Sequence, residues 1–290
     1  MTKRLLVSFS GGRTSGYMTK RVLDTWQDRY DEIVVLFANT GQEHEKTLEF
    51  VHNCDKHFGF NTVWLEAVVN PEKGKGTRHK VVTYETASRD GEPFEAVISK
   101  YGITNADMPH CTRELKLSPI TSYLRGLGWG PHDRCVGIRV DEIDRMSANA
   151  EQARVKYPLV SWGVTKQMVL DWWASQDFDL GLTDYHGNCV WCWKKSDRKL
   201  FTMATENPEF FDFPARMEKK YGKIGASYEC TGREQVFFRR HRSTKDIIAA
   251  SKEHFIPWEP TTDQRQIGMF SLDEMDYSNG CSESCEVEFV

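Results

Sequence analysis

The apolar positions of this chain follow two different periods. Residues 4–9 (RLLVSF) and 33–38 (IVVLFA) are short, nearly continuous apolar runs, the pattern of strands buried on both faces of a parallel sheet. Between them Tyr17, Met18, Val22, Leu23 and Trp26 recur near helical spacing. That predicts a helix over 14–30 and a β-α-β unit. A second helix is predicted over 45–58, a strand over 62–66, a helix over 117–127 and a strand over 134–138. Strands alternating with helices predict an α/β fold with a doubly wound, mostly parallel sheet. Residues 67–110 lose this regularity, with Gly and Lys early and Pro93 and Pro109 later, and read as an excursion near the sheet's C-terminal edge. From Thr165 the chain turns helical and tryptophan-rich, and residues 257–290 are acidic and polar. The expected division is a nucleotide-binding domain over 1–164, a helical, cysteine-containing region over 165–256 and a tail or lid over 257–290. No internal repeat is visible.

A chain of 290 residues suits one large domain, or one domain with a smaller appendage. No apolar run approaches the ~18 residues of a membrane span, so no membrane partner is expected. The N-terminus has a short basic start and a brief apolar run, but that run enters a glycine turn rather than a small-residue cleavage site. It reads as strand one rather than a signal peptide, and the expected compartment is the cytoplasm. The net charge of −4 excludes a chain that binds nucleic acid through overall charge. Basic clusters at 73–80, 194–199 and 239–245 each read singly as solvated surface. Together they can line an anionic site.

The junction between strand one and the first helix, LLVSFSGGRTSGYM, carries the chemistry. In α/β folds ligands sit beyond the C-terminal ends of strands. A strand–glycine–helix turn there offers backbone N–H groups and the positive end of a helix dipole, which suits phosphate. It is not a Walker A loop: Gly11 and Gly16 have the spacing, but Tyr17 stands where the lysine is needed. It is not a dinucleotide fingerprint either, since Gly11 and Gly12 are adjacent. What remains is S-G-G-x-x-S over Ser10, Gly11, Gly12, Arg13, Thr14 and Ser15.

This segment resembles the PP-loop of the ATP-pyrophosphatase (adenine nucleotide α-hydrolase-like) superfamily. Other segments extend the resemblance in order along the chain. Asn39-Thr40-Gly41 ends strand two, where that superfamily meets the nucleoside. CTRELKLSPI (residues 111–120) is similar to a segment of the phosphoadenosine phosphosulfate (PAPS) and adenosine phosphosulfate (APS) reductases, with Lys116 at its lysine. VGIRVDEIDR (residues 136–145) resembles their G-x-R-x-x-x-x-x-R segment and supplies Gly137, Arg139 and Arg145. YPLVSW resembles their P-L-x-x-W segment before a helix. The resemblance covers residues 5–200, about two-thirds of the chain. It implies ATP or a related adenine nucleotide with Mg²⁺, bound at Ser10–Ser15 and Asn39–Gly41. Lys116, Arg139 and Arg145 would act on phosphate charge as catalytic residues.

Eight cysteines in a chain expected to be cytoplasmic point to metal or redox work rather than disulfides. Cys189 and Cys192 form a C-x-x-C, which can present two thiolates to one metal. The iron–sulfur APS reductases place a cysteine pair before the lysine segment and a C-x-x-C some way after it. Here Cys111 precedes Lys116 and Cys189 lies 78 positions after Cys111, but Thr112 stands where the second cysteine of the pair belongs. The resemblance therefore implies a [4Fe–4S] cluster on Cys111, Cys189 and Cys192, with zinc as the alternative. Cys230 is the candidate fourth ligand and His110 a weaker one. Cys54 and Cys135 read as core. Cys281 and Cys285 lie in a tail that lacks the reductases' Glu-Cys-Gly motif. Trp172 and Trp173 read as core, while Trp191 and Trp193 either shield the cluster or stack a base.

Three functions are in competition. The first is an ATP-dependent iron–sulfur sulfurtransferase acting on tRNA, DNA or a small molecule. The second is a PAPS or APS reductase that releases sulfite with a thioredoxin-like reductant. The third is a non-catalytic nucleotide-binding module with a structural metal. An enzyme of the first type, forming a homo-oligomer, is the expectation.

Overall fold

The computed structural model describes residues 2–259 apart from Lys73, with backbone alone at Ala226, Ser227 and Cys230. The expected tail and its Cys281 and Cys285 lie outside the described residues. Six strands form one sheet: β1 (Arg4–Ser8), β2 (Glu32–Asn39), β3 (Val63–Val69), β4 (Thr77–Val82), β5 (Asp133–Cys135) and β6 (Val155–Lys156). Their order is β4-β3-β2-β1-β5-β6. Every pairing is parallel except β3 with β4. Helices α1 (Arg13–Trp26), α2 (Glu45–Phe58) and α3 (Glu92–Tyr101) follow β1, β2 and β4.

The alternation within β1 sets the layers. Leu5 and Val7 point to one face and join Val35, Phe37, Phe50 and Trp173 in one core. Leu6 points to the other and joins Leu36, Leu65, Ile120 and Leu124. Period-two side-chain alternation requires this split. All of these side chains are buried, each worth about 1.5–3 kcal/mol on removal from water. The sheet thus has helices on both faces. The helix Lys166–Ala174, expected to open a separate helical region, packs against α1 instead: Trp173 is wholly buried and its indole N–H donates to the Arg13 carbonyl at 2.8 Å. A third core, around Trp191, Phe211, Phe237 and Phe238, belongs to the later helices.

The excursion expected over 67–110 is more regular than its composition suggests. β3 runs on to Val69, and the basic stretch after it becomes β4, an antiparallel edge strand with Lys80 opposite Glu66. An edge strand needs no apolar outer face, and charge on it blocks unwanted pairing. Later in the chain, β5 is shorter than expected, because residues 136–139 leave the sheet to approach β1's glycine turn. Among the described residues no helix is long and apolar enough to cross a membrane.

Candidate functional site

The sheet order places the glycine turn at a special point. β1 pairs with β2 on one side and with β5 on the other, so the connections leave in opposite directions. The crevice beyond the carboxyl ends of two such strands is where open α/β sheets bind ligands. Ser10, Gly11 and Gly12 follow β1 at this point, and Gly137, Ile138 and Arg139 follow β5.

The turn is held from within. Ser15, fully buried, accepts from the Ser10 backbone N–H at 3.2 Å, lies 2.9 Å from the Ser10 hydroxyl and donates to the Gly12 carbonyl at 3.1 Å. Gly11 has φ +81°, and a Cβ there would stand 2.6 Å from Thr47 Cγ2, so the turn requires glycine on both counts. Gly12 is the N-cap of α1, with φ −101° and ψ 162° and no capping side chain; no acidic residue stands in the helix's first turn. The first amide groups of this 14-residue helix therefore meet neither a capping side chain nor an acidic residue of their own turn. Arg13 does not point there. Its guanidinium is held by Asp179 (Nε to Oδ1 2.7 Å) and the Leu182 carbonyl (2.9 Å).

The cation at the turn comes from across the sheet. Arg139, only 4% exposed, donates from Nη1 to the Thr14 hydroxyl at 2.6 Å. Asp141 and Glu142 brace its guanidinium at 3.1 and 3.4 Å. Arg145 binds the same Glu142, so Arg145 positions Arg139 through a shared carboxylate. The structure thus brings a buried guanidinium, already paired with Asp141 and Glu142, to the N-terminus of α1.

The Asn39–Gly41 segment does something different. Asn39 is wholly buried; its amide donates to Glu66 (2.7 Å) and the Ser88 carbonyl (2.9 Å), and its carbonyl accepts from Gly41 N–H (3.2 Å). Its side chain is committed to shaping the turn. Thr40 faces the cysteines: its hydroxyl donates to Glu43 at 2.8 Å and lies 3.4 Å from Cys189 Sγ. The two segments are stitched together. Glu43 and Cys189 form an antiparallel bridge, Val190 N–H donates to the Gln42 carbonyl (2.9 Å), and the Trp191 indole donates to the Gln42 side chain (2.6 Å).

Cys189 and Cys192 share one tight turn, with Cys192 N–H donating to the Cys189 carbonyl at 3.0 Å. Lys195, 2% exposed, closes that turn by donating to the carbonyls of Cys189 (2.9 Å) and Val190 (3.2 Å). Arg239, in left-handed backbone, donates to the carbonyls of Trp193 (3.1 Å) and Lys195 (2.6 Å). The basic run at 239–245 is therefore partly scaffold for the C-x-x-C. Burial pushes the Cys189 thiol well up, and Glu43 and Cys192 beside it add to the rise. Burial likewise raises Glu43, opposed by the Lys116 ammonium and by the bonds from Thr40. Lys116 thus acts electrostatically at the cysteine side of the site. It sits in a π-helical turn, Arg113–Leu117, an irregularity frequent at functional sites.

Cys111 packs against the same apolar cluster as Cys189. Among the described residues no three His, Cys, Asp or Glu side chains gather into a metal-ligand set. Cys111, Cys189 and Cys192 are all partly exposed, whereas Cys54 and Cys135 are core, as expected. Cys230 lies on the short helix Ala226–Thr231. Trp191 and Trp193 are buried, so neither offers a face for stacking. Sequence reasoning missed Glu43, Glu142 and Lys195: Glu142 lies within the 136–145 segment and Lys195 within the 194–199 basic cluster, but neither was singled out. Their one available signal was position, Glu43 three residues after Thr40 and Lys195 three after Cys192.

The chain is 32% identical over 199 residues to an uncharacterized nin region protein, ORF290, of Escherichia phage lambda, across 67% of both chains. An uncharacterized protein of Methanocaldococcus jannaschii, MJ0066, is 27% identical over 122 residues, which cover 42% of this chain and 20% of that protein. No family model matches the chain, and no solved structure matches it. By the extent of the first match, the chain belongs to the family of the phage nin region protein ORF290.

Proposed function

We propose that this protein is a PP-loop-type enzyme that uses an adenine nucleotide in sulfur chemistry, as an ATP-dependent sulfurtransferase. One observation carries the reading. Two segments singled out by the resemblance, 125 residues apart in sequence, meet at Thr14 and Arg139 on a helix N-terminus at the switch point of the sheet.

ATP would place its phosphates against the backbone of the glycine turn. Mg²⁺, which accompanies ATP, would share the phosphate oxygens. Arg139 supplies a preorganised positive charge, which lowers the cost of charge developing on a phosphoryl group. Arg145 keeps Arg139 in place through Glu142. The Asn39 side chain is committed elsewhere, so the adenosine would be met by the backbone of residues 39–41. Lys116 belongs to the cysteine side and would balance negative charge there.

The cysteines supply the sulfur side. Cys189 and Cys192 would hold two positions of an iron–sulfur cluster or a zinc ion, with Cys111 a third. A neutral thiol is the expected state of metal-free Cys189, since burial raises it.

The test is to incubate anaerobically reconstituted protein with ATP, Mg²⁺, sulfide and bulk tRNA or DNA, and separately with PAPS or APS and a thiol reductant. Pyrophosphate release with thionucleoside formation supports the proposal. Sulfite release from the sulfonucleotide, with no thionucleoside and no pyrophosphate, replaces it with the reductase. Nucleotide binding without turnover replaces it with a binding module. Iron and zinc analysis of the anaerobic protein decides the metal.

A further inference from the structure

We infer that a cleft at the opposite end of the sheet binds the phosphodiester backbone of a single-stranded nucleic acid. The cleft has a volume of about 1160 Å³ and lies between the N-terminal ends of β1, β5 and β6 and the turn that ends α1. β1 separates it from the glycine turn by five residues, about 17 Å of strand. It is a distinct site, and nothing in this inference depends on nucleotide binding at that turn.

Charge is the first argument. Lys3, Arg4, Arg29, Arg154 and Lys156 line the cleft against two carboxylates, Asp28 and Asp133. Asp133 is shared: Arg154 approaches it at 3.0 Å, Lys156 at 3.8 Å, and the Tyr30 hydroxyl donates to it at 2.9 Å. One carboxylate cannot neutralise two cations. Arg4 has Glu32 as its partner (3.3 Å). The side chains of Lys3 and Arg29 form no ion pair among the described residues. The Arg29 guanidinium lies over the Trp26 ring, 5.2 Å from its centre.

The second argument is an aromatic wall. Trp26 and Tyr30 line the cleft and stack on each other, at 6.2 Å between ring centres. Arg154 is held at φ +56°, a conformation that L-residues rarely adopt. The volume exceeds the ~300–1,000 Å³ of typical small-molecule sites, and the cations come from three separate segments. Backbone-tracking basic grooves are how single strands are held without sequence preference.

The test is fluorescence anisotropy with a short labelled oligothymidylate, and in parallel an oligouridylate, over a range of salt. The double variant Arg29→Glu, Lys156→Glu is expected to fold normally by thermal melting, since both side chains are exposed, and to bind at least about tenfold more weakly. Its log K against log salt slope should be shallower by about 1.4, at ~0.7 per lost contact. Arg29→Lys with Lys156→Arg should retain binding, and so should Gly12→Val. The inference is overturned if the wild type binds neither strand, if the double reversal leaves affinity unchanged, or if Arg240→Glu on the distant basic turn abolishes binding instead. Displacement of the strand by inorganic phosphate at equal phosphate concentration would overturn it in favour of a simple anion site.

Discussion

Nη1 of Arg139 lies 2.6 Å from the hydroxyl oxygen of Thr14, although 125 residues separate them in sequence. The contact exists because β5 pairs directly with β1 and both strands release their chains at the same end of the sheet. It joins a glycine turn to a buried cation. Neither alone would distinguish this turn from any other strand-to-helix junction.

Arg139→Lys separates charge from geometry. The ammonium keeps the positive charge but loses the planar fork that spans Thr14, Asp141 and Glu142. Adenine-nucleotide affinity should fall by about tenfold to a hundredfold, the worth of a charge-assisted hydrogen bond, with the fold retained. Arg139→Ala should also cost about 1–3 kcal/mol of stability, because Thr14, Asp141 and Glu142 lose the donor that joins them. Calorimetric titration and urea melts check the two parts.

Gly11→Ala should destabilise the fold. The residue would be forced to φ +81° with its Cβ 2.6 Å from Thr47 Cγ2. Left-handed strain and overpacking together predict a loss of about 2–4 kcal/mol. A thermal melt unchanged from wild type would show that the turn relaxes.

Trp191→Phe tests the stitch between the 39–43 segment and the C-x-x-C. The Gln42 side-chain oxygen, now 2.6 Å from the indole nitrogen, would be left buried without that donor, at a cost of about 1–3 kcal/mol. Alkylation of Cys189 and Cys192, followed by peptide mass spectrometry, should accelerate as the turn loosens. Cys54 and Cys135 should remain protected.

His44 gives the chain a pH dependence whose sign is fixed. Burial, then the neighbouring His186 and Lys46, lowers it from its ordinary value to about 4. The unfolded chain therefore binds this proton more readily than the folded one. The stability that neutral His44 contributes is present above about pH 6.5 and is lost as pH falls toward 4. Buried carboxylates such as Glu43 are raised and act in the opposite sense, so the measurement is differential. The stability of His44→Gln should depend less on pH than that of wild type between pH 6.5 and 4.

The sheet was legible in the sequence because buried parallel strands and amphipathic helices leave strong periodic signals; α2 and β1 appear nearly where periodicity puts them. β4 was not legible, since its outer face is solvated and TRHKVV lacks an apolar stripe. At the site, the glycine turn and Arg139 could be read from short motifs. The roles of Asn39 and Thr40 could not, because local spacing does not reveal that Glu66 and Cys189 arrive from elsewhere in the fold. Glu43 and Lys195 escaped for the same reason: what marks them is burial beside the C-x-x-C, which only the folded chain creates.

Gly12→Val tests the proposed phosphate site most directly. Gly12 has φ −101° and ψ 162°, a region valine adopts readily, so the substitution should spare the fold while placing a branched side chain over the helix N-terminus. Calorimetric titration with ATP and Mg²⁺ should show one saturable site in wild type and none in Gly12→Val, at matched melting temperature. Undiminished affinity in Gly12→Val, or a wild type that binds no adenine nucleotide, would contradict the assignment of this turn to phosphate.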